Sequence, residues 1–199
     1  ASLKVAEAFN QKERAVEMLG EAFFDIRRNT SKPFKVFTHG VITKVLGTSF
    51  VISAPSENEP VKIIVKTGRV SVKAESMKQR SGNSINEVVL TANQQVTFDP
   101  VKKSLAPTLA DVPILLPGAP KPRHIYDAEP VVAILAEMEK LYGVDIVYDE
   151  DVLAGCKITT AFHTEDLYQR LEVIGRAIGA HYENDGLQIL FRSNGCRLR

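Results

Sequence analysis

An internal repeat in the last third of the chain constrains its fold more than any other feature. A shift of 36 positions lays Tyr126-Asp-Ala-Glu-Pro-Val131 on Phe162-His-Thr-Glu-Asp-Leu167 without a gap. Leu135 then meets Leu171, Met138 meets Ile174, Tyr142 meets Ile178 and Gly143 meets Gly179. Each copy reads as an extended piece, an amphipathic helix, a glycine stop and a second extended piece. In the first copy Val131, Ile134, Leu135, Met138, Leu141 and Tyr142 form one stripe of a 3.6-residue helix. Pro130 stands at its start, where a missing N–H costs nothing, and Gly143 at its end, where a left-handed residue closes a helix. In the second copy Thr164 is the expected N-cap, with Glu165 and Asp166 at the positive end of the dipole. Leu167, Leu171, Ile174 and Ile178 make that stripe, and Gly179 stops it.

Strands are expected around these helices. Val144-Asp-Ile-Val-Tyr148 and Lys157-Ile-Thr-Thr-Ala-Phe162 carry β-branched and aromatic residues. Between Tyr182 and Phe191 the turn Asn184-Asp185-Gly186 signals a hairpin. Residues 121–199 therefore read as a βαββαββ module with two helices on one face of a sheet. At about 80 residues such a module has barely enough core to stand alone.

The first half has a different period. Val16 and Met18, then Ala22, Phe24 and Ile26, alternate around Gly20, which reads as a turn or bulge. Ala6 and Phe9 before them fit a short helix or a strand. Phe34–Thr38, Val41–Val45, Thr48–Ala54, Val61–Val65, Val70–Ala74, Val88–Leu90 and Gln95–Phe98 follow as strands, with a polar loop over Glu75–Glu87. Short strands every 8–12 residues indicate an all-β sandwich, barrel or helix-like stack. Residues 104–123 hold Pro107, Pro113, Pro117, Pro120 and Pro122, half of the ten prolines. Such a stretch reads as an extended spacer. The expected organisation is α+β: a β-rich domain over 1–104, a linker over 105–120 and the module over 121–199.

Charge follows the same division. Residues 1–120 carry 16 Lys and Arg against 11 acids, and 121–199 carry 9 against 13. No apolar run approaches the ~18–20 residues of a membrane helix, so the chain reads as soluble as it stands and as a piece of something longer.

The sequence contains no constellation for catalysis and no cofactor motif. His39, His124, His163 and His181 are scattered, without metal-ligand spacing. No serine sits in a Gly-x-Ser-x-Gly elbow, and Gly40 and Gly47 are not followed by Gly-Lys-Ser/Thr. Asp149-Glu-Asp151 reads as a solvated turn. Lys62, Lys66 and Lys73 fit an exposed strand face, and with no Trp a nucleic-acid partner is not expected. Cys156 and Cys196 lie at strand ends of the module, where a bridge would tie down the last strand; two free thiols in a reducing compartment are the alternative.

Several segments resemble the FecR family. They are Arg14-Ala-Val-Glu-Met-Leu-Gly-Glu-Ala-Phe-Phe-Asp-Ile26, Lys32-Pro-Phe-Lys-Val36, Val45-Leu-Gly-Thr-Ser-Phe-Val51, Gly68-Arg-Val-Ser-Val72 and Leu90-Thr-Ala-Asn-Gln94. In the last, Asn93 stands where the family prefers glycine, and asparagine tolerates the same left-handed turn. The repeat resembles the module that often follows the FecR domain, itself similar to the secretin and TonB short N-terminal domain; its Cys-x-Ile-Thr pattern fits Cys156-Lys-Ile-Thr159. The chain lacks the strands that usually precede Arg14, and Ser2-Leu-Lys-Val5 reads as the tail of that region.

The resemblance implies a periplasmic sensory region of a single-pass inner-membrane anti-sigma factor, acting by binding and not as an enzyme. Its implied partner is the N-terminal signalling domain of a TonB-dependent outer-membrane receptor. An extracytoplasmic-function sigma factor would be met through a cytoplasmic segment absent from this chain. An exposed sheet edge of the module could accept a strand from the receptor, whereas Val131 and Leu135 read as core more than as an interface. The rival reading is a carbohydrate- or envelope-binding β-domain with an accessory module, which a concave aromatic cluster would favour.

Overall fold

The computed structural model describes residues 1–5, 9, 11, 13–75 and 87–196. Ala6 and most of the Glu75–Glu87 loop lie outside the described residues. The chain forms two compact units, Ala1–Ala110 and Asp111–Arg199.

In the first unit, strand β1 (Ser2–Val5) pairs with β2 (Arg14–Asp25). Gly20 does not end β2. The strand runs through it with φ of 93°, a conformation glycine adopts without steric cost. Residues 14–17 of β2 pair in parallel with β3 (Phe34–Thr38), and residues 20–25 pair antiparallel with β5 (Ser49–Ala54). The other strands are β4 (Val41–Val45), β6 (Val61–Thr67), β7 (Arg69–Ala74), β8 (Glu87–Thr91), β9 (Gln94–Asp99) and β10 (Ser104–Leu109). Their order is β10-β9-β6-β5-β2-β3-β4-β7-β8. The end strands β8 and β10 approach each other, so the sheet nearly closes. Alternation turns Val36, Val41, Phe50, Ile52, Ile63, Val65, Val72, Leu90 and Val96 inward to one fully buried core. A helix-like stack would need parallel coils, and among the described residues of this unit only β2 and β3 run parallel.

The segment Leu46-Gly-Thr-Ser-Phe50 is a corner between strands. A Cβ on Gly47 would stand 2.4 Å from the Cα of Arg28. Thr48 and Ile26 exchange backbone hydrogen bonds of 3.2 and 3.1 Å, and the Thr48 hydroxyl donates to the Arg69 carbonyl at 2.9 Å. A second corner is built on Asn93, with φ of 61°. Its N–H donates to Val65 at 3.0 Å, and its carbonyl accepts from Ala110 at 2.8 Å.

The expected linker needs correcting at both ends. Residues 104–109 form β10, with Pro107 opposite Val96. An end strand tolerates proline because one of its sides needs no ladder donor. Further on, Leu116 donates its N–H to Leu141 at 2.8 Å, and its side chain fills the space beside Gly143. Residues from Asp111 therefore belong to the second unit and are not a free spacer.

The second unit contains β11 (Ile125–Pro130), α1 (Val131–Tyr142), β12 (Asp145–Val147), α2 (Glu150–Leu153), β13 (Lys157–Ala161), α3 (Leu167–Ile178), β14 (His181–Asp185) and β15 (Gln188–Arg192). The repeat is exact in the helices: α1 and α3 each have 12 residues, and Gly143 and Gly179 cap them in left-handed conformation. The expected single sheet is not observed. β11 and β13 form one sheet, and β12-β15-β14 form another. α1 packs on β11 and β12, and α3 on β13 and β14, so each helix touches both sheets. Periodicity tells which helix face is apolar; it does not tell how many sheets cover it. Thr164 is not the N-cap. Asp166 is, forming a capping box with Gln169. The repeat-equivalent residues Tyr126 and Phe162 meet edge to face, 5.7 Å apart, both buried.

All five tyrosines of the chain lie in this unit. Burial pushes each phenol above its ordinary value of 10.0, Tyr126 to about 12. The folded state therefore favours the protonated phenols. Their contribution is whole below pH 10 and is lost as pH rises through the folded values. Urea unfolding across this range should show the second unit losing stability from pH 10 toward about 12, with Tyr126→Phe flattening the loss. In the first unit, Gly47→Ala should lower stability by about 1–3 kcal/mol through overpacking against the Arg28 backbone. Gly155→Ala, which adds a methyl to open space, should cost far less in the same titration.

Candidate functional site

The site is built on the β14–β15 hairpin. Asp185 pairs with Gln188 across the two-residue loop Gly186-Leu187, and Gly186 takes φ of 61°. A two-residue loop is closed by a hydrogen-bonded pair, and such pairs recur at every second residue. Asp185–Gln188, Glu183–Leu190 and His181–Arg192 are thus the bonded pairs. Tyr182 and Asn184, between them, turn their N–H and C=O groups to the other side of β14. Among the described residues no strand pairs on that side, because β14 ends the three-stranded sheet. His181, Glu183, Asn184 and Asp185 are exposed.

An aromatic shelf borders this edge. Tyr168, in the first turn of α3, stacks on Tyr182 with centroids 5.8 Å apart and planes 10° from parallel. The Asn184 amide donates to the Tyr168 hydroxyl at 3.4 Å. Burial raises the pKa of both phenols above the ordinary value of 10.0. On the other sheet face, Arg192 donates to Glu183 at 2.6 Å. These charges keep the edge from indiscriminate pairing. An extended backbone laid along β14 would find unpaired donors and acceptors, and its side chains would rest on the two rings.

A guanidinium clasp fixes the entry to the unit. Arg123 meets Glu137 at 2.8 Å and Glu129 at 3.0 Å, and lies 4.7 Å over the Tyr126 ring. Glu129 first and Glu137 next raise the pKa of the guanidinium further. Arg170 is the residue that sequence reasoning missed. It is buried in α3 at the position where the first copy has Ile134. Its Nε donates to the Glu165 carbonyl at 3.0 Å, and it lies 5.0 Å over the Phe162 ring. The 36-residue shift itself was the signal, since it sets Arg170 on an apolar stripe.

The other singled-out residues are distributed as follows. Cys156 and Cys196 are joined by a disulfide, with Cα atoms 5.5 Å apart. Val131 and Leu135 are wholly buried in the core. Asp149 caps α2 by accepting from the Val152 N–H, and Glu150 and Asp151 fill the first turn. Phe24 stacks on Phe50 and meets Phe34 at a tilt, and all three lie inside the β core and not on a concave surface. Among the described residues no group of three His, Cys, Asp or Glu could hold a metal ion. None of the described helices is long and apolar enough to cross a membrane.

The FecR protein domain matches residues 1–71, and the FecR C-terminal domain matches residues 123–191. No curated protein matches the chain. Two crystal structures of a candidate anti-sigma factor from Parabacteroides distasonis ATCC 8503 are similar to it. The one at 1.65 Å resolution shares 24% identity, covering 96% of this chain and 85% of that one, with a TM-score of 0.47. The one at 2.50 Å shares 25% identity, covering 93% and 82%, with a TM-score of 0.44. The two domain matches together span well over half of the sequence, in the order the two units occur, and the chain belongs to the FecR family.

Proposed function

We propose that this chain is the periplasmic sensory region of a transmembrane anti-sigma factor. It relays the state of an outer-membrane TonB-dependent transporter to an extracytoplasmic-function sigma factor, and it does so by binding, with no chemistry of its own. The sigma factor is met through a cytoplasmic segment outside these 199 residues. The observation that carries the binding mode is the free edge of β14, where Tyr182 and Asn184 offer unpaired backbone groups beside the Tyr168–Tyr182 shelf. The receptor's N-terminal signalling domain supplies the added strand. Main-chain hydrogen bonds along β14 give affinity, and the rings select the side chains that face them. The carbohydrate-binding alternative needs an exposed aromatic cluster in the first unit, and the cluster of Phe24, Phe34 and Phe50 is interior.

Proline at position 184 tests the mode, because it removes one outward N–H and leaves the β14–β15 ladder whole. Binding of the receptor signalling domain to the full chain should weaken about tenfold in Asn184→Pro, the equivalent of one main-chain hydrogen bond. Asn184→Ala, which also loses the amide contact to Tyr168, should stay within about threefold of wild type. Unchanged affinity in a folded Asn184→Pro protein would remove β14 as the docking edge.

A further inference from the structure

Beyond β15 the chain continues as a short strap, residues 193–196. The strap pairs with no strand. Among the described residues its one hydrogen bond is internal, from the Gly195 N–H to the Ser193 hydroxyl at 3.1 Å. Its tie to the body of the unit is covalent, the bond from Cys196 to Cys156. The two sulfur-bearing residues differ in setting. Cys156 is buried and held by its backbone: its carbonyl accepts from Val131 at 2.8 Å, and its N–H donates to Leu153 at 2.9 Å. Cys196 is only half-buried.

The strap separates two grooves. One, of about 530 Å³, is floored by Val147, Val152, Leu153 and Leu190. The other, of about 650 Å³, lies against Lys157, Ile178 and Gly179. Asn194 lines both, so the strap is the wall between them.

We propose that residues 193–196 are an oxidation-dependent strap, which the Cys156–Cys196 disulfide holds between the two grooves and which reduction releases, joining them into one face. The reductant is a dithiol. One of its thiolates attacks the accessible sulfur of Cys196; the protein S–S bond breaks, a mixed disulfide forms on Cys196, and Cys156 leaves as a thiolate and takes a proton. The second thiol of the reductant then displaces Cys196, which takes the other proton, and the reductant departs as its own disulfide. Two electrons and two protons pass to the protein. The rest of the unit keeps its attachments, because Cys156 remains hydrogen-bonded to Val131 and Leu153 and β15 remains paired on both sides. The inference is independent of the receptor reading, which concerns the β14 edge.

Backbone ¹⁵N relaxation of the full chain, before and after dithiothreitol, reads the strap directly. Cys196→Ser provides a form that cannot close in any buffer. In the oxidised protein, order parameters of residues 194–196 should be near the rigid value of about 0.85, falling below about 0.6 on reduction and in Cys196→Ser. Resonances of Val152, Leu153 and Ile178 should shift with them, while α1, α3 and the β14–β15 hairpin stay rigid. Equal order in the two redox states would overturn the proposal. So would loss of order throughout the second unit, which would make the bond a staple of the whole fold and not a latch on its end.

Discussion

Strand β2 bridges two walls of the sheet, pairing with β1 and β3 near its start and with β5 near its end, and the first unit depends on that. Its first residues lie beside β3 in parallel, and its last lie beside β5 antiparallel. The second stretch opens on Gly20, in a backbone conformation that a side chain would oppose. The strand therefore carries the sheet from one wall of the core to the other without a loop. Everything inside the curl follows from that continuity: alternate residues of all the strands point to one interior, and Val36, Phe50, Ile63 and Val72 reach zero exposure. The corners at Gly47 and Asn93 serve the same geometry, since each lets two chain segments approach within hydrogen-bond distance where the wall bends.

The second unit solves a smaller problem by duplication. Neither helix could bury its stripe alone; each packs on strands of its own copy, and the copies are joined because both sheets take strands from the two. Tyr126 and Phe162, the same position in the two copies, meet at the centre. Replacement of an apolar residue by Arg170 breaks the symmetry. A buried guanidinium is costly unless it is hydrogen-bonded and well placed; here Nε has a carbonyl and the plane an aromatic face, while Nη1 is buried with no hydrogen-bond partner among the described residues. The two halves are thus not interchangeable, although their backbones repeat.

Much of this was legible in the sequence, for identifiable reasons. Helix limits followed from the stripe and the glycine stops, because 3.6-residue periodicity and left-handed caps are local properties. The hairpin's existence followed from Asn184-Asp185-Gly186 for the same reason, but the turn itself falls at Gly186-Leu187, with Asn184 and Asp185 still in β14. What failed was non-local. The split of the module into two sheets, the pairing of Pro107 into β10 and the docking of Leu116 on Leu141 are decided by partners distant in sequence. The capping error was local but close: Thr164 and Asp166 are both good N-caps, and the Gln169 side chain, three residues after Asp166, settles the competition. The candidate edge was readable only as a possibility in kind. Which strand ends the sheet, and which of its residues turn their backbone outward, required the register.

The placement of the tyrosines has a spectroscopic consequence. The chain has no tryptophan, and every tyrosine lies after residue 111. Intrinsic emission from this protein is therefore a signal of the second unit alone. The β-rich first unit, which contains more than half of the residues, is optically silent by this criterion. An unfolding curve recorded by fluorescence would look like one clean transition even if the two units came apart at different denaturant concentrations. The same experiment followed by far-ultraviolet dichroism would report both. A gap between the two midpoints would measure how far the units are energetically independent.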